Sequence, residues 1–299
     1  MKTKKSFLKK YGSTCFFLLP WLSIFIVFTV IPILGATVLS FTDFDMVRWP
    51  NFVGIDNYLN LFLDDEIFTK SLSNTLFYAL VTGPAGYIIS FVVAWLINEV
   101  SSKLLRSILT LVFYSPALAG NAYMLWNYLF NGDSYGLLNS VLMNLGVLSK
   151  PVQWLTDPSY NSIIVVIVTL WMSMGVGFLS FVAGFKQLNQ ELFEAGAIDG
   201  VRNRWQELWY ITLPQMVPQL RIGAVLAISG AFAVGTVNAA LTGNPSTDYS
   251  THTVLLHMTD YGYTRYEMGY ASAIAVVLFV LMVASWYLIN TVLSRFSSD

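Results

Sequence analysis

Three carboxylates lie close together in one polar segment of an otherwise apolar chain: Glu191, Glu194 and Asp199. Grouped carboxylates are used in general acid–base catalysis, so this segment could belong to the active site of a membrane enzyme, for example one that acts on lipid-linked sugars. The same side chains could equally be contacts on a surface that binds another protein. Their spacing alone does not decide between the two.

Motifs that would favour an enzyme do not occur in the sequence. There is no Gly-x4-Gly-Lys-Ser/Thr phosphate loop, so we expect the chain not to hydrolyse ATP itself, and there is no His-Glu-x-x-His pair or Gly-x-Ser-x-Gly elbow. His252 and His257 lack the i, i+4 spacing of a helical zinc site, so no metal is expected and a solvated loop is predicted around them. The single Cys15 excludes a disulfide framework and is interpreted as a small buried hydrophobic residue.

Short helices are predicted to position the carboxylates. Asn189 is a good N-cap and Gly200 can adopt the left-handed conformation that ends a helix, so residues 190–199 should form one. A second helix is predicted after it, interrupted by Pro214 and Pro218. Its apolar stripe would consist of residues spaced i, i+3, i+4 and i+7, namely Trp205, Leu208, Trp209 and Thr212.

This segment resembles the EAA loop of membrane subunits of ABC importers, in which Glu-Ala-Ala, three residues, Gly and nine residues precede Ile-x-Leu-Pro. Here Gly196 stands in place of the second Ala, and ten residues instead of nine separate Gly200 from Ile211. The sequence Ala-Ile-Asp-Gly around Asp199 is similar to that of the sugar-importing branch of the family. The residues that the resemblance assigns to coupling are Glu194, Ala195, Gly196, Asp199, Gly200, Leu213 and Pro214.

The resemblance implies a MetI-like type I ABC permease fold in the class of the maltose importers. It also implies partners: a second homologous permease subunit, two ATP-binding-cassette ATPase subunits that bind the EAA loops, and an extracytoplasmic solute-binding protein. ATP and Mg²⁺ would be used by the ATPase subunits, and no cofactor would be bound by this chain.

Composition independently places the chain in a lipid bilayer. Hydrophobic residues make up 56% of it and charged residues only 11%, whereas soluble domains carry roughly a quarter charged residues. The net charge of -1 argues against a nucleic-acid partner, which requires a clear excess of Lys and Arg. The location expected from these properties and from the resemblance is the plasma membrane of a bacterial type of cell.

Six apolar runs are each long enough to span the bilayer, so we predict an all-α integral membrane protein with six transmembrane helices. The first is too long for a signal peptide core and should be retained. Of the 16 Lys and Arg residues, only Arg48, Lys70, Lys150 and Arg265 fall on one side, so both termini and the Glu194 loop should be cytoplasmic. The runs are 15–39, 73–98, 104–130, 162–185, 218–241 and 268–293.

The predicted domain organisation follows these runs. A cytoplasmic tail, 1–14, and the first helix, 15–39, precede an extracytoplasmic loop, 40–72. The transmembrane core domain occupies 73–293, contains the coupling loop 187–216, and is followed by the cytoplasmic tail 294–299. The outer loop is expected to be held by aromatic residues, and either caps the bundle or helps to dock the binding protein.

The middle thirds of the six runs contain no Asp, Glu, Lys, Arg or His, which argues against a carrier driven by protons or sodium ions. Neutral polar and small residues there suit an uncharged, hydroxyl-rich solute. The resemblance implies that the chain forms half of a translocation pathway, and the uncharged spans favour a carbohydrate as its solute, an oligosaccharide by preference. Another small solute remains the alternative. The candidate pathway residues are Asn121, Tyr123, Thr169, Met172, Ser173, Ser229, Gly230 and Asn238.

Overall fold

The computed structural model describes the backbone of residues 7–295 and the side chains of residues 16–291. Parts of both predicted tails, residues 1–6 and 296–299, lie outside the described residues, as does the side chain of Cys15, which was predicted to be buried. The chain divides into two units, one formed by Met1–Asp64 and Met258–Val277 and the other by Asp65–His257 and Leu278–Asp299.

Helices dominate the described residues, and four π-helical turns interrupt them at Ile26–Val30, Asn60–Asp64, Leu208–Thr212 and Asp260–Thr264. A short 3₁₀ turn lies at Thr247–Tyr249. The α-helices are α1 (Phe7–Phe25), α2 (Ile31–Leu39), α3 (Asp56–Leu59), α4 (Glu66–Asn98), α5 (Lys103–Leu118), α6 (Met124–Leu129), α7 (Leu137–Asn144), α8 (Pro158–Met172), α9 (Val176–Lys186), α10 (Gln190–Ile198), α11 (Arg204–Glu207), α12 (Leu213–Gln215), α13 (Val217–Phe232), α14 (Thr236–Thr242), α15 (Val254–Thr259) and α16 (Met268–Arg295).

Four stretches among the described residues are long and apolar enough to cross a membrane: Phe16–Leu39, Glu66–Asn98, Pro158–Lys186 and Met268–Thr291. A fifth is reached if the pair Arg204–Gln215 and Val217–Phe232, bent by 82°, counts as one span. The predicted third run is divided into α5 and α6 around Gly120. The number six therefore stays a prediction, although the all-helical class is confirmed.

Helix α4 begins at Glu66, earlier than the expected start near Asn74, because Asp65 caps it. The Asp65 carboxylate accepts a hydrogen bond from the backbone N–H of Phe68 at 2.8 Å, which satisfies a donor left free at a helix start. The helix then continues through Pro84 to Asn98 as one element of 33 residues.

The core of the second unit is built where α4, α9 and α13 pack against one another. Phe181 on α9 meets Tyr87 and Phe91 on α4 edge to face, with ring centroids 5.4 and 5.5 Å apart, an arrangement that aromatic pairs prefer. Gly223 on α13 makes room for this ring, since a Cβ there would lie 2.4 Å from Phe181 Cζ. These three helices form the frame that supports the candidate site.

The outer loop of the first unit is held mainly by polar side chains. The side-chain amide of Asn57 donates to the carbonyls of Ser40 and Thr42 at 2.9 and 2.8 Å. The side-chain amide and the backbone N–H of Asn51 both donate hydrogen bonds to the Asp43 carboxylate. These bonds lower the pKa of Asp43, and the side-chain bond has the larger effect. The loop is folded, as predicted.

The predicted aromatic anchors of this loop were Phe44, Trp49, Phe52, Tyr58 and Phe62. That expectation is wrong for Trp49 and Phe52, whose side chains are 92% and 80% exposed. Tyr58 does anchor the loop, because its hydroxyl bonds Ser40 Oγ at 2.7 Å and its ring lies 5.5 Å from that of Phe41.

The two histidines lie in a buried segment, not in the solvated loop that was predicted. His252 and His257 are 3% and 1% exposed, and His257 belongs to α15. His257 Nε2 lies 2.9 Å from an oxygen of Asp65, the capping residue of α4. A buried imidazole needs such a partner, and the sequence did not show that one was 192 positions away.

Candidate functional site: the 187–216 loop and a neutral cavity

The first arm of the 187–216 loop is the helix α10, as the capping residues predicted. Asn189 Oδ1 accepts a hydrogen bond from the backbone N–H of Glu191 at 3.0 Å, and the backbone N–H of Asn189 donates to Gln215 Oε1 at 2.9 Å. Gly200 has a φ of +94°, the left-handed conformation expected after the helix. The helix ends at Ile198 with Asp199 as its C-cap.

The outer face of α10 is exposed and mixed in character. Glu194, Ala195 and Asp199 are all exposed. Beside them, Leu192 and Ile198 expose 47% and 88% of their side chains. A short helix that presents two aliphatic side chains and several carboxylates to solvent resembles the helix-in-groove mode of protein recognition.

The inner face of α10 packs on the second arm through Gly196. A Cβ at Gly196 would lie 2.6 Å from Ile211 Cδ1 and 3.6 Å from Val201 Cγ2. The carbonyl of Gly196 also accepts the backbone N–H of Val201 at 2.9 Å. The glycine that departs from the family pattern therefore lets the two arms of the loop approach closely.

We expect Gly196→Leu to lower the thermal unfolding temperature and Gly196→Ala to have a small effect. The Ala methyl meets only the mobile end of Ile211, at a cost of about 1 kcal/mol, whereas overpacking by Leu costs about 1–3 kcal/mol. The measurement is thermal unfolding of the full chain in detergent. Gly35→Leu is the control, because a Cβ at that helical glycine meets nothing within 4 Å. Equal destabilisation by all three substitutions would contradict the close approach.

The second arm contains a π-helical turn, Leu208–Thr212, between α11 and α12. Leu208 and Thr212 are buried as expected, but Trp205 and Trp209 expose 64% and 65% of their side chains. The stripe was predicted to lie against the membrane surface or the end of the helix bundle. Trp205 does contact Trp95 near the end of α4, with ring centroids 5.3 Å apart, and the placement of Trp209 stays a prediction. Leu213 is half-buried and Pro214 is exposed.

The second arm is fixed to the membrane helices. Leu208 and Met216 enter the same apolar core as Phe91 of α4 and Phe178 of α9. Met216 and Phe178 are completely buried. The loop is therefore attached to the spanning helices by side-chain packing as well as by the backbone.

Polar and aromatic contacts add to this attachment at the end of α4. Arg204 Nε lies 3.2 Å from a carboxylate oxygen of Glu99, and Trp95 and Trp205 have ring centroids 5.3 Å apart. The pKa of the Arg204 guanidinium is raised, mainly by its hydrogen bond to Glu207 at 2.6 Å and to a smaller extent by electrostatic attraction to Glu99. Arg204 therefore stays charged and bridges two segments of the chain.

A cavity of about 390 Å³ lies among α4, α8, α9 and α13. It is lined by four of the predicted pathway residues, and none of its lining residues is Asp, Glu, Lys, Arg or His. Those four are Thr169, Met172, Ser173 and Gly230.

The hydroxyl of Thr169 is the least satisfied group in this wall. Its Oγ1 is buried and finds no hydrogen-bond partner among the described residues, whereas Ser173 Oγ donates to the Leu170 carbonyl at 2.7 Å. An orphaned buried hydroxyl costs about 1–3 kcal/mol. Thr169 is the residue of the cavity wall at which a further hydrogen-bond partner would stabilise most.

The other predicted pathway residues do not line this cavity. Asn121 and Tyr123 hydrogen-bond to each other at 2.9 Å between α5 and α6. Ser229 faces a different pocket, beside Phe279 and Trp286. Asn238 is completely buried and donates to the Thr251 carbonyl at 2.8 Å.

Sequence reasoning missed the wall that α4 contributes. Thr82, Gly86, Tyr87 and Ser90 all line the cavity. A Cβ at Gly86 would lie 3.0 Å from Ser173 Cβ, so the glycine allows α4 to approach the break between α8 and α9. The repeat of small polar residues at positions 82, 86 and 90 lies on one helical face and was the available signal.

Comparison with known proteins decides between the interpretations. A family model described as "Binding-protein-dependent transport system inner membrane component" matches residues 86–297. The chain belongs to this family. The matched residues include the whole 187–216 loop and every residue of the cavity except Thr82 and Gly83.

Two relatives and one solved structure show the extent of the similarity. The permease is 30% identical over 285 residues to the "Trehalose/maltose transport system permease protein MalF" of Thermococcus litoralis, covering 94% of this chain and 93% of that protein. It is 28% identical to the "Arabinooligosaccharides transport system permease protein AraP" of Bacillus subtilis over 92% and 87% of the two chains. A chain of a bacterial ABC transporter involved in the import of the acidic polysaccharide alginate shares the fold, with a TM-score of 0.79, 24% identity and coverage of 97% and 98%.

Family membership assigns the permease a role in transport within a membrane, together with a binding protein and an ATPase, and not a role as an enzyme. The carboxylates of the 187–216 loop are consequently not catalytic groups. The resemblance read from that loop and the fold expected from it are both confirmed.

Proposed function

We propose that this permease forms half of the translocation pathway for an uncharged carbohydrate, an oligosaccharide handed over by an extracytoplasmic binding protein. The observation that carries the solute class is the cavity of about 390 Å³ with its neutral wall. Its size falls within the range of about 300–1,000 Å³ for small-molecule sites. A sugar unit offers hydroxyls to groups such as Thr169 and needs no counter-ion.

The names of the two relatives support this solute class, since they refer to trehalose, maltose and arabinooligosaccharides. An acidic sugar is disfavoured by the wall itself. A carboxylate buried without a cation loses its hydration at a large cost in free energy, and no cation lines the cavity in the described part of the chain.

The energy for transport comes, in this proposal, from two ATPase subunits that use ATP and Mg²⁺ and bind α10 and its equivalent on a second, homologous permease subunit. The exposed Leu192, Glu194 and Ile198 supply the contact surface. The membrane is the plasma membrane of a bacterial cell, with both termini and α10 on the cytoplasmic side.

Transport requires two states of the permease that the ATPase subunits distinguish. Closure of the ATPase pair on ATP moves α10 as a rigid body, and the core contacts of Leu208 and Met216 pass the movement to α9 and α4. The helices that form the neutral cavity then separate on the outer side, and ATP hydrolysis reverses the change.

The test of the solute class is ATP hydrolysis by the assembled importer, reconstituted with its partners and binding protein. We expect neutral oligosaccharides to stimulate hydrolysis, and uronic-acid oligosaccharides of equal length to fail. Stimulation by the uronic-acid set alone, or by amino acids alone, would contradict the proposal.

We expect Thr169→Val to weaken transport while stabilising the protein. The isosteric methyl removes an unsatisfied hydroxyl, so the unfolding temperature should rise. The solute loses a hydrogen bond, so the solute concentration that half-saturates transport should increase by roughly tenfold. Thr264→Val, at an exposed threonine, is the control. Unchanged transport by Thr169→Val would show that Thr169 is not part of the solute pathway.

A further inference from the structure

A second pocket lies at the start of α5 and shares no residue with the neutral cavity. It has a volume of about 460 Å³, and its lining includes Lys103, Arg106 and Lys186 together with the hydroxyl-bearing Ser107 and Tyr114. No Asp or Glu lines it among the residues that the structure describes. Among the described residues, none of the three cations has a carboxylate within salt-bridge distance.

Arg106 is held rigidly in the wall of this basic pocket. Its Nη2 donates to the carbonyls of Asn98 and Val100, both at 2.9 Å. Its Nε is buried and has no acceptor in the described part of the chain. Arg106 nevertheless lines the pocket, and a guanidinium binds phosphate oxygens with several N–H groups at once.

Electrostatics also favours an anion in the basic pocket. Three positive side chains around one space repel one another, and a bound negative charge relieves that repulsion. Lys103 begins α5, whose N-terminus is capped by Ser102 at 3.4 Å from the Leu105 backbone nitrogen. The positive end of the helix dipole adds to the same potential.

The surroundings of the basic pocket are apolar. On the same helix, Leu104, Leu105, Ile108 and Leu111 expose 72%, 47%, 48% and 61% of their side chains. Leu111 is itself part of the pocket wall. A free inorganic anion gains nothing from contact with apolar side chains. A phospholipid, in contrast, has a phosphate that suits the basic pocket and hydrocarbon chains that suit the apolar face.

We propose that the basic pocket binds the headgroup phosphate of an anionic phospholipid, whose acyl chains lie along the exposed apolar face of α5. Basic pockets between membrane helices on the cytoplasmic side bind anionic headgroups in this way. The lipid phosphate offsets part of the positive charge of Lys103, Arg106 and Lys186 and connects α5 to α9, since Lys186 ends α9.

The test is native mass spectrometry of the purified full-length chain titrated with phosphatidylglycerol or with phosphatidylcholine of the same acyl chains. We expect phosphatidylglycerol to bind more tightly. The double variant Lys103→Gln, Lys186→Gln should reduce its affinity by roughly 30-fold, since each cation near the lipid contributes on the order of 1 kcal/mol. Both lysines are exposed, so the variant should fold, which thermal unfolding would check.

The control is the double variant Lys70→Gln, Lys150→Gln, which removes the same charge from two other exposed lysines and should leave binding unchanged. Equal affinity of wild type for the two lipids would overturn the proposal, as would equal losses in both double variants. Displacement of the lipid by inorganic phosphate at the same concentration would identify a simple anion site instead. Loss of the ATPase subunit from the Lys103→Gln, Lys186→Gln variant, with no lipid preference in wild type, would identify a protein contact.

Discussion

Replacing Glu194 by Lys is expected to release the ATPase subunit from this permease. The residue lies exposed on α10, between aliphatic side chains that would be buried in the complex. Reversing a charge inside such an interface leaves an unpaired or repelled group, and a loss of affinity of about 100-fold or more follows. The measurement is copurification of the ATPase subunit with the tagged permease, together with solute-stimulated ATP hydrolysis.

The control for Glu194→Lys is Asp133→Lys, which makes the same change at an exposed carboxylate in a loop predicted to face outward. It should leave copurification and hydrolysis intact. If Glu194→Lys kept the ATPase subunit bound with normal stimulated hydrolysis, α10 would not be the docking element. The phospholipid proposal would be unaffected by that result, because its readout is lipid binding by the permease alone.

Replacing Met216 by Ala is expected to uncouple ATP hydrolysis from transport without releasing the ATPase subunit. Met216 is completely buried in the core that Phe178 and Phe181 form on α9. Truncation leaves a cavity and costs about 2–5 kcal/mol of stability. The loop would keep its outer face but lose part of its attachment to the spanning helices.

Uncoupling is measured as solute transported per ATP hydrolysed in proteoliposomes, with ATPase copurification as the second readout. Met124→Ala is the control, since this methionine is 58% exposed. A normal transport ratio for Met216→Ala would show that the backbone connection suffices. Loss of the ATPase subunit would show instead that the variant disturbs α10 itself.

Local signals made α10 predictable from sequence. Its cap, Asn189, and its terminating glycine, Gly200, each act through the backbone within a few residues, so the predicted and observed helices differ only at Asp199. The end of the second arm was not predictable to the same degree. The π-turn at Leu208–Thr212 has no comparable local signal, because it depends on which side chains the core accepts.

The cavity was predicted in part for a similar reason. Thr169, Met172 and Ser173 lie within or next to one continuous helix, α8, so a regular helical face located them together. Asn121 and Tyr123 lie at a break between helices, where helical spacing no longer indicates direction. Buried partners distant in sequence, such as Asp65 for His257, leave no local signal.

The 82° bend between Arg204–Gln215 and Val217–Phe232 gives the molecule an elbow at Met216. With 16 residues, the longer arm extends about 24 Å at 1.5 Å per residue. We expect a tilt of the short arm to reach the cavity through α13, which packs on α4 and α9 and places Gly230 at the cavity wall. The bend would then provide a direct mechanical route from the cytoplasmic loop to the solute.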